Sequence, residues 1–148
     1  MEIQIRMTTD NLSIDGNRME NWTRCILKDL DLPPCEVSIL LTDDEGITFY
    51  NKKYFNREGS TNVIAFPMLG DMDQIDRRDF SEKPDSAPLV LGDILISLST
   101  AQREAEEGGI STDERIKQLL IHGLLHLLGY THETETDQRK MYALEEKC

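Results

Sequence analysis

The sequence predicts an α/β or α+β protein with one central sheet. Four short apolar segments are typical of strands, and about five segments with apolar residues at helical spacing lie between and after them. The chain has 148 residues, which matches the commonest size of a single domain. Because no segment has the composition of a linker, we expect one domain over residues 1–148.

The first half of the chain predicts a strand, a helix, a second strand and a second helix. Polar and apolar residues alternate over residues 3–7, as in a half-buried strand. Apolar residues then recur at spacings of three and four over residues 19–30, which indicates an amphipathic helix. Residues 37–41 form a short apolar run typical of a buried strand. Since Thr42 and Glu45 have the spacing of a capping box, the next helix is predicted to begin at Thr42.

The second half predicts two more strands and three helices. Residues 62–66 and 89–97 are apolar and rich in β-branched side chains, and the polar segment between them is predicted to be a long surface loop over residues 67–88. The three helices that follow are predicted to begin at Ser99, at Ser111 and near residue 134.

The charge balance of the chain limits its partners. Sixteen Lys and Arg residues against 28 Asp and Glu residues give a formal net charge of −12. Such a charge opposes non-specific attraction to nucleic acid and to anionic membranes, so a polyanion would need a local basic patch or a bound cation. We expect neither a membrane nor DNA as a partner.

The three cysteines predict reduced thiols. Cys25, Cys35 and Cys148 are odd in number and form no Cys-x-x-Cys pair. Reduced thiols are typical of a reducing compartment, and no apolar run approaches the roughly 20 residues of a membrane-spanning helix. We therefore expect a cytoplasmic protein.

All three histidines of the chain lie in one short motif, at His122, His126 and His132. Two residues four apart on a helix share a face, so His122 and His126 can present two imidazoles to one ion. Gly129 is suited to reverse the chain and let His132 fold back as a third ligand. Three imidazoles leave the fourth position of a zinc ion open for water, which is typical of a catalytic zinc site.

The motif also resembles the long zinc-protease motif H-E-x-x-H-x-x-G-x-x-H, with Gly123 in place of the glutamate. That glutamate serves as the general base and acid that peptide hydrolysis needs for its poor leaving group. Phosphodiester cleavage depends more on positioning and charge neutralisation. The motif therefore favours a metal hydrolase other than an ordinary protease.

Three segments resemble the YbeY family, bacterial metal-dependent endoribonucleases of ribosomal RNA maturation. The most specific is His122-Gly-x-Leu-His126-Leu-x-Gly129-Tyr130-x-His132. The others are Asn51-x-x-Tyr54 followed by Thr61-Asn62-Val63-Ile64-Ala65-Phe66-Pro67, and Leu91-Gly92-Asp93-Ile94 followed by Ile96-Ser97. The order and spacing of the three segments are also similar, from about residue 36 to the last residue.

This resemblance implies a mostly parallel four-stranded sheet and a metzincin-like helix that carries the zinc site. It implies one Zn²⁺ per chain, held by His122, His126 and His132. It further implies a single-strand-specific endoribonuclease that acts in maturation of the 3′ end of 16S ribosomal RNA and in ribosome quality control, with the small ribosomal subunit as partner.

The chain departs from the family pattern at two positions. Thr131 stands where the family usually has Asp, which removes a candidate general base or partner for a metal ligand. Phe55 stands where family members commonly carry Arg. Arg57, two residues further on, is the candidate to replace that arginine and to stabilise developing charge at the phosphate.

Two further features have both a functional and a structural interpretation. Lys52, Lys53 and Arg57 form a locally basic segment, which either contacts the RNA backbone or is a solvated helix end whose cations complement the helix dipole. Asp93 interrupts an apolar strand, and it either orients a metal-bound histidine or bonds to nearby backbone.

These observations predict a zinc-dependent endoribonuclease. Two alternatives remain open at this point: a zinc hydrolase of another class, such as a peptidase or amidase, and a non-catalytic ribosome-associated factor whose zinc is structural.

Overall fold

A computed structural model describes residues 2–8, 14–32, 34–67, 89–129 and 135–148. These parts of the chain contain four strands and five helices. In chain order they are β1 (Glu2–Met7), α1 (Gly16–Asp29), β2 (Cys35–Thr42), α2 (Asp44–Phe55), β3 (Val63–Pro67), β4 (Leu89–Ser97), α3 (Leu98–Gly108), α4 (Thr112–Leu127) and α5 (Glu135–Lys147). The predicted fold class is confirmed.

The sheet has the strand order β1-β2-β4-β3. β1 pairs with β2 and β2 pairs with β4 in parallel, whereas β3 pairs with β4 antiparallel and lies at the edge. Parallel neighbours need a long crossover connection, which α1 provides between β1 and β2. The mostly parallel sheet implied by the family resemblance is therefore present.

The two faces of the sheet are covered differently. Side chains that alternate along β2 and β4, such as Ile39 and Ile94, point to one face and form the main core with leucines of α1 and α4. The opposite face carries a small second cluster, in which Ile47 of α2 packs against Ile64 and Leu95. The face under α4 therefore holds most of the buried apolar surface.

Two helices, α2 and α3, begin at residues other than the predicted ones. The N-cap of α2 is Asp43, whose carboxylate accepts a hydrogen bond from the Gly46 amide at 2.8 Å. Thr42 still belongs to β2, and its hydroxyl accepts a hydrogen bond from the Thr8 hydroxyl at 2.9 Å. The prediction that Thr42 caps α2 is thus wrong by one residue.

The second difference concerns α3, whose N-cap is Ser97 rather than Ser99. The hydroxyl of Ser99 instead accepts a hydrogen bond from the Asp44 amide at the start of α2, at 3.2 Å. The prediction for α4 is confirmed, because the Ser111 hydroxyl accepts from the Glu114 amide at 3.1 Å. Most of the predicted loop, from residue 68 to residue 88, lies outside the described residues.

The cysteines also differ from the prediction. Cys25 of α1 and Cys148 after α5 form a disulfide with their Cα atoms 6.0 Å apart, and Cys35 is a buried free thiol. The pairing joins positions 123 residues apart in the sequence, so no local spacing could have indicated it. Burial raises the pKa of the Cys35 thiol.

In the described ranges, no helix is long and apolar enough to cross a bilayer.

Asp44 joins the first turns of α2 and α3. Its carboxylate accepts hydrogen bonds from the hydroxyls of Ser97 (2.7 Å) and Thr100, and from the guanidinium of Arg103 (2.7 Å). Partial desolvation raises the pKa of Asp44, but these donors outweigh it and lower the pKa from 3.8 to about 2. The ionised carboxylate therefore stabilises the position of α2 against α3.

Asp44→Asn should remove part of the acid sensitivity of the fold. The contribution of ionised Asp44 to stability is present above its unfolded-state pKa of 3.8 and is lost as the pH falls through about 2. We expect urea titrations at neutral pH to give the wild type a larger free energy of unfolding than D44N. The two values should converge as the pH falls through that range, and a constant difference would contradict this role of Asp44.

Candidate functional site

The site is built on α4, which carries two of the three histidines. His122 and His126 lie one turn apart, with their imidazole rings nearly parallel at 4° and the ring centroids 5.6 Å apart. α4 ends after Leu127, and Gly129 then adopts a positive φ of 86°, the left-handed conformation that the sequence predicts for it. Helical spacing alone therefore places the two imidazoles side by side.

The apolar side of α4 fixes where these rings point. Leu119, Leu120 and Leu124 are buried in the main core, whereas His122 is half-buried and His126 is exposed. The histidines consequently lie at the rim of the core, next to the edge strand β3. Such a position holds the rings against packed structure and leaves them open to a ligand.

Gly123 lies between the two histidines and packs against β4. A Cβ atom added at Gly123 would be 2.9 Å from Cγ2 of Ile94 and 3.3 Å from its Cδ1. Real Cβ atoms essentially never come within 3.0 Å of another atom, so any larger residue at position 123 would force Ile94 or α4 to shift. The absence of a glutamate between the histidines thus has a packing reason.

The imidazoles open into a cavity of about 350 Å³ between α4, β3 and the end of α2. A volume of this size is in the range of small-molecule and substrate sites. Its lining contains no carboxylate in the part of the chain that the structure describes; it consists of Asn51, Phe55, Arg57, Thr61, Val63, Ile64, Ala65, His122, Gly123 and His126.

Asn51 organises the wall of the cavity opposite the histidines. It is buried, and its amide donates a hydrogen bond to the carbonyl oxygen of Gly59 at 3.2 Å. α2 ends at Asn56, whose left-handed φ of 51° turns the chain so that Arg57 also lines the cavity. Sequence analysis gave Asn51 no role of its own. Its position one turn after the buried Ile47 is the signal that could have identified it.

The three cations of the predicted basic segment, Lys52, Lys53 and Arg57, do not all line the same cavity. Arg57 lines the cavity that contains His122 and His126, and it is exposed. Lys52 and Lys53 are exposed in the last turn of α2 and do not line that cavity. Their positive charges complement the C-terminal end of the helix dipole, and they also remain available to a polyanion approaching the rim.

Asp93 and the histidines His122 and His126 lie on opposite faces of the sheet. Ile94 points toward α4, where it contacts Gly123, and successive side chains of a strand point to opposite faces. Asp93 is accordingly exposed on the face that carries Tyr50, Tyr54 and Leu95. This placement gives no support to a role of Asp93 in orienting His122 or His126, and His132 lies outside the described residues.

The described residues supply two of the three predicted metal ligands. His132 and Thr131 lie outside the described residues, and in the remaining ranges no group of three His, Cys, Asp or Glu side chains could hold a metal ion. His122 and His126 have the i, i+4 spacing at which two imidazoles can share one ion. Their rings are stacked with centroids 5.6 Å apart, more than two zinc–nitrogen bonds of about 2 Å can span, so a ring has to rotate before a nitrogen of each points at the same ion.

Comparisons with known proteins find related sequences. The sequence profile of the family described as "Endoribonuclease YbeY" matches residues 4–148. Proteins named Endoribonuclease YbeY include one from Heliobacterium modesticaldum, 44% identical over 78% of this chain and 69% of its own length, and one from Geobacter metallireducens, 39% identical over 98% and 91%.

A solved structure also resembles the fold. The solution structure of TM1509 from Thermotoga maritima has a TM-score of 0.66 and 20% identity, and it covers 98% of this chain and 87% of its own. At that identity the likeness supports the fold alone.

Alanine substitutions at two glycines should separate the packing of Gly123 from helix propensity. Gly108, in the last turn of α3, has open space where a Cβ would lie, so Gly108→Ala should raise the free energy of unfolding by up to about 1 kcal/mol. Gly123→Ala should be less stable than Gly108→Ala by about 1–3 kcal/mol, because its Cβ overpacks Ile94. Equal stabilities in urea titrations would contradict the close helix–strand contact.

Proposed function

The chain belongs to the YbeY family of endoribonucleases, and from this membership we propose that it cuts single-stranded ribosomal RNA in the cavity lined by His122 and His126, with the help of a bound zinc ion. Hydrolysis of RNA is the activity of the family. The RNA class, the metal and the roles of individual residues are the proposal.

The observation that carries the proposal is the shared cavity of His122, His126 and Arg57. Two parallel imidazoles beside a guanidinium combine a metal-binding group with a phosphate-binding group. No carboxylate lines the part of that cavity that the structure describes, so none of these lining residues is placed to act as the general base of a peptidase or amidase. The arrangement favours a phosphodiester as substrate over a peptide bond.

The zinc ligands in this proposal are His122, His126 and His132. When bound, a zinc ion supplies an acidified water and neutralises charge on the phosphate. Arg57 would donate hydrogen bonds to the non-bridging phosphate oxygens and so hold the phosphodiester in place. Asn51 fixes the loop that carries Arg57 through its bond to Gly59, so it acts as a positioning residue.

Lys52 and Lys53 are proposed to hold the RNA backbone outside the cavity. The protein is strongly acidic overall, so two exposed lysines in the last turn of α2, the helix that also brings Asn51 and Phe55 to the cavity, provide the local positive charge that a polyanion needs. The biological setting proposed for this reaction is maturation of the 3′ end of 16S ribosomal RNA and ribosome quality control on the small subunit, in the cytoplasm.

His126→Ala should abolish both metal retention and RNA cleavage. The substitution removes one of the two imidazoles that share a face of α4, and two remaining ligands hold zinc poorly. We would measure zinc per chain by mass spectrometry and cleavage of single-stranded ribosomal RNA, with and without a chelator. Tyr142→Ala, at an exposed position of α5, is the matched control and should keep both properties.

About one zinc per chain in the wild type, with cleavage lost in H126A and in chelator, is the expected result. Zinc retained without any cleavage by the wild type would instead favour the ribosome-associated binding factor. Cleavage that persists in H126A and in chelator would reject the metal-dependent reaction.

Reversing the charges of Lys52 and Lys53 to Glu should weaken RNA binding in a salt-dependent way. Each lost contact with a phosphate of a single strand should reduce the slope of log affinity against log salt by about 0.7. Reversal of Arg24 and Lys28 on α1 makes the same change in net charge away from the cavity, and it should leave the slope nearly unchanged. Equal slopes in the two double variants would remove Lys52 and Lys53 from the RNA path.

A further inference from the structure

A strip of aromatic side chains runs from the histidine cavity around the edge of the sheet. It consists of Phe55, Phe66, Tyr54, Tyr50 and Phe49, four from α2 and Phe66 from β3. Phe55 stacks on Phe66 with ring centroids 5.3 Å apart, and Phe66 meets Tyr54 edge-on at 5.2 Å. Tyr54 then stacks on Tyr50 at 6.1 Å, and Tyr50 meets Phe49 edge-on at 5.4 Å. We call this set the aromatic strip.

Much of the aromatic strip is open to solvent. Phe49 is 59% exposed, Tyr54 is 55% exposed and Phe55 is 42% exposed. Large apolar side chains that lie together on a surface are uncommon in proteins that bind nothing there. Their clustering next to the cavity is therefore evidence of a binding surface.

The aromatic strip lies between two cavities. Phe55 lines the cavity of His122 and His126. Tyr54 and Phe66 line a second cavity of about 310 Å³ on the other side of β3, together with Arg6. A flat molecule stacked on Phe55 would thus lie beside the histidines, and a neighbouring one would reach the rings of Tyr54 and Phe66.

Cationic side chains accompany the rings. The Arg57 guanidinium lies 5.9 Å from the Phe55 ring centroid. The Lys53 ammonium lies 5.7 Å from the ring of Phe49 and 5.3 Å from that of Tyr54. Such cation–π contacts hold positive charge at the level of the ring faces. Each end of the strip therefore offers both a stacking surface and a phosphate partner.

We propose that Phe55, with one face packed on Phe66, stacks on an unpaired base next to the phosphodiester in the cavity of His122 and His126 once Arg57 moves from its ring to the phosphate. The exposed rings of Tyr54 and Phe49 contact the next bases of the same strand, with Lys53 moving likewise to a phosphate. The proposal deepens the function proposed above and rests on it. Aromatic rings with interspersed cations are the usual platform for single-stranded nucleic acid. In a duplex both faces of an internal base are covered, so this platform selects unpaired RNA.

The cavity receives its guanidinium from Arg57 and its ring from Phe55, two residues earlier. A protein partner would also fit apolar side chains. The cations over the ring faces favour a ligand that carries a negative charge beside every flat group, which describes a nucleotide chain.

The test compares strands with and without bases. Binding would be measured by fluorescence anisotropy with a labelled single-stranded oligoadenylate of about 12 nucleotides and with a strand of equal length built from a stable abasic analogue. The full chain is used in the presence of a chelator, so that no RNA is cut. Phe55→Leu keeps an apolar side chain of similar volume but removes the ring.

Phe55→Leu should weaken binding of the base-bearing strand about tenfold, since one lost base–ring stack costs of this order. Its affinity for the abasic strand should equal that of the wild type. Phe55→Trp should restore tight binding, and its added tryptophan fluorescence should be quenched by the base-bearing strand alone. Tyr142 on α5 is 65% exposed, and Tyr142→Leu removes its ring as a control. This substitution should change the affinity for neither the base-bearing nor the abasic strand.

Two results would overturn the proposal. One is unchanged binding of the base-bearing strand by F55L, which would leave the aromatic strip to a protein partner. The other is an equal loss on both strands, which would mean that the substitution disturbs the site rather than a stack.

Failure of this inference can be told apart from failure of the proposed function. If the wild type cuts single-stranded RNA with zinc but F55L binds the base-bearing strand as well as the wild type does, the proposed function stands and the stacking role is wrong. If F55L loses binding of the base-bearing strand alone but the wild type cuts no RNA, the stacking role stands and the proposed function is wrong.

Discussion

The close contact between α4 and β4 at Gly123 and Ile94 is the constraint on which the site depends. Glycine at position 123 lets the helix lie this near Ile94, and a Cβ there would force one of them to shift. Once α4 is held there, its leucines are in the main core, and the turn containing His122 and His126 faces the edge strand β3. The same contact explains why the chain has no glutamate between its histidines, and so why its chemistry differs from that of a zinc protease.

The other half of the site comes from α2, and its position is set by polar contacts rather than by a large core. Only a small apolar cluster under Ile47 supports this helix, and the bonds of Asp44 with Ser97 and Arg103 join its first turn to α3. At its other end, α2 brings Arg57 and Phe55 to the cavity. The end of α2 thus carries Lys52, Lys53 and Arg57 beside exposed rings, which is where we propose that the RNA strand binds.

Sequence patterns predicted the elements and the histidine pair because these depend on local periodicity. They failed where the outcome depends on contacts between distant residues. The hydroxyl of Thr42 bonds to Thr8, which is 34 residues away in the sequence, and Asp43 caps α2 in its place. Local sequence could not show this because the partner of Thr42 comes from another strand. The nearly continuous apolar run of β4 gives no alternation, so the face of Asp93 could not be read from it. The aromatic strip combines four rings of helix α2 with Phe66 of strand β3, and only the fold brings Phe66 against Phe55.

We propose that one zinc ion binds the histidines of α4 and keeps a fourth coordination position free of protein atoms. Anomalous diffraction at the zinc edge, from crystals of the wild-type chain grown with zinc, would locate that ion. We expect a single strong peak about 2.0–2.1 Å from a nitrogen of each of His122, His126 and His132, with a fourth position that no protein atom fills. A peak away from His122 and His126, or an ion closed by four protein ligands, would contradict it.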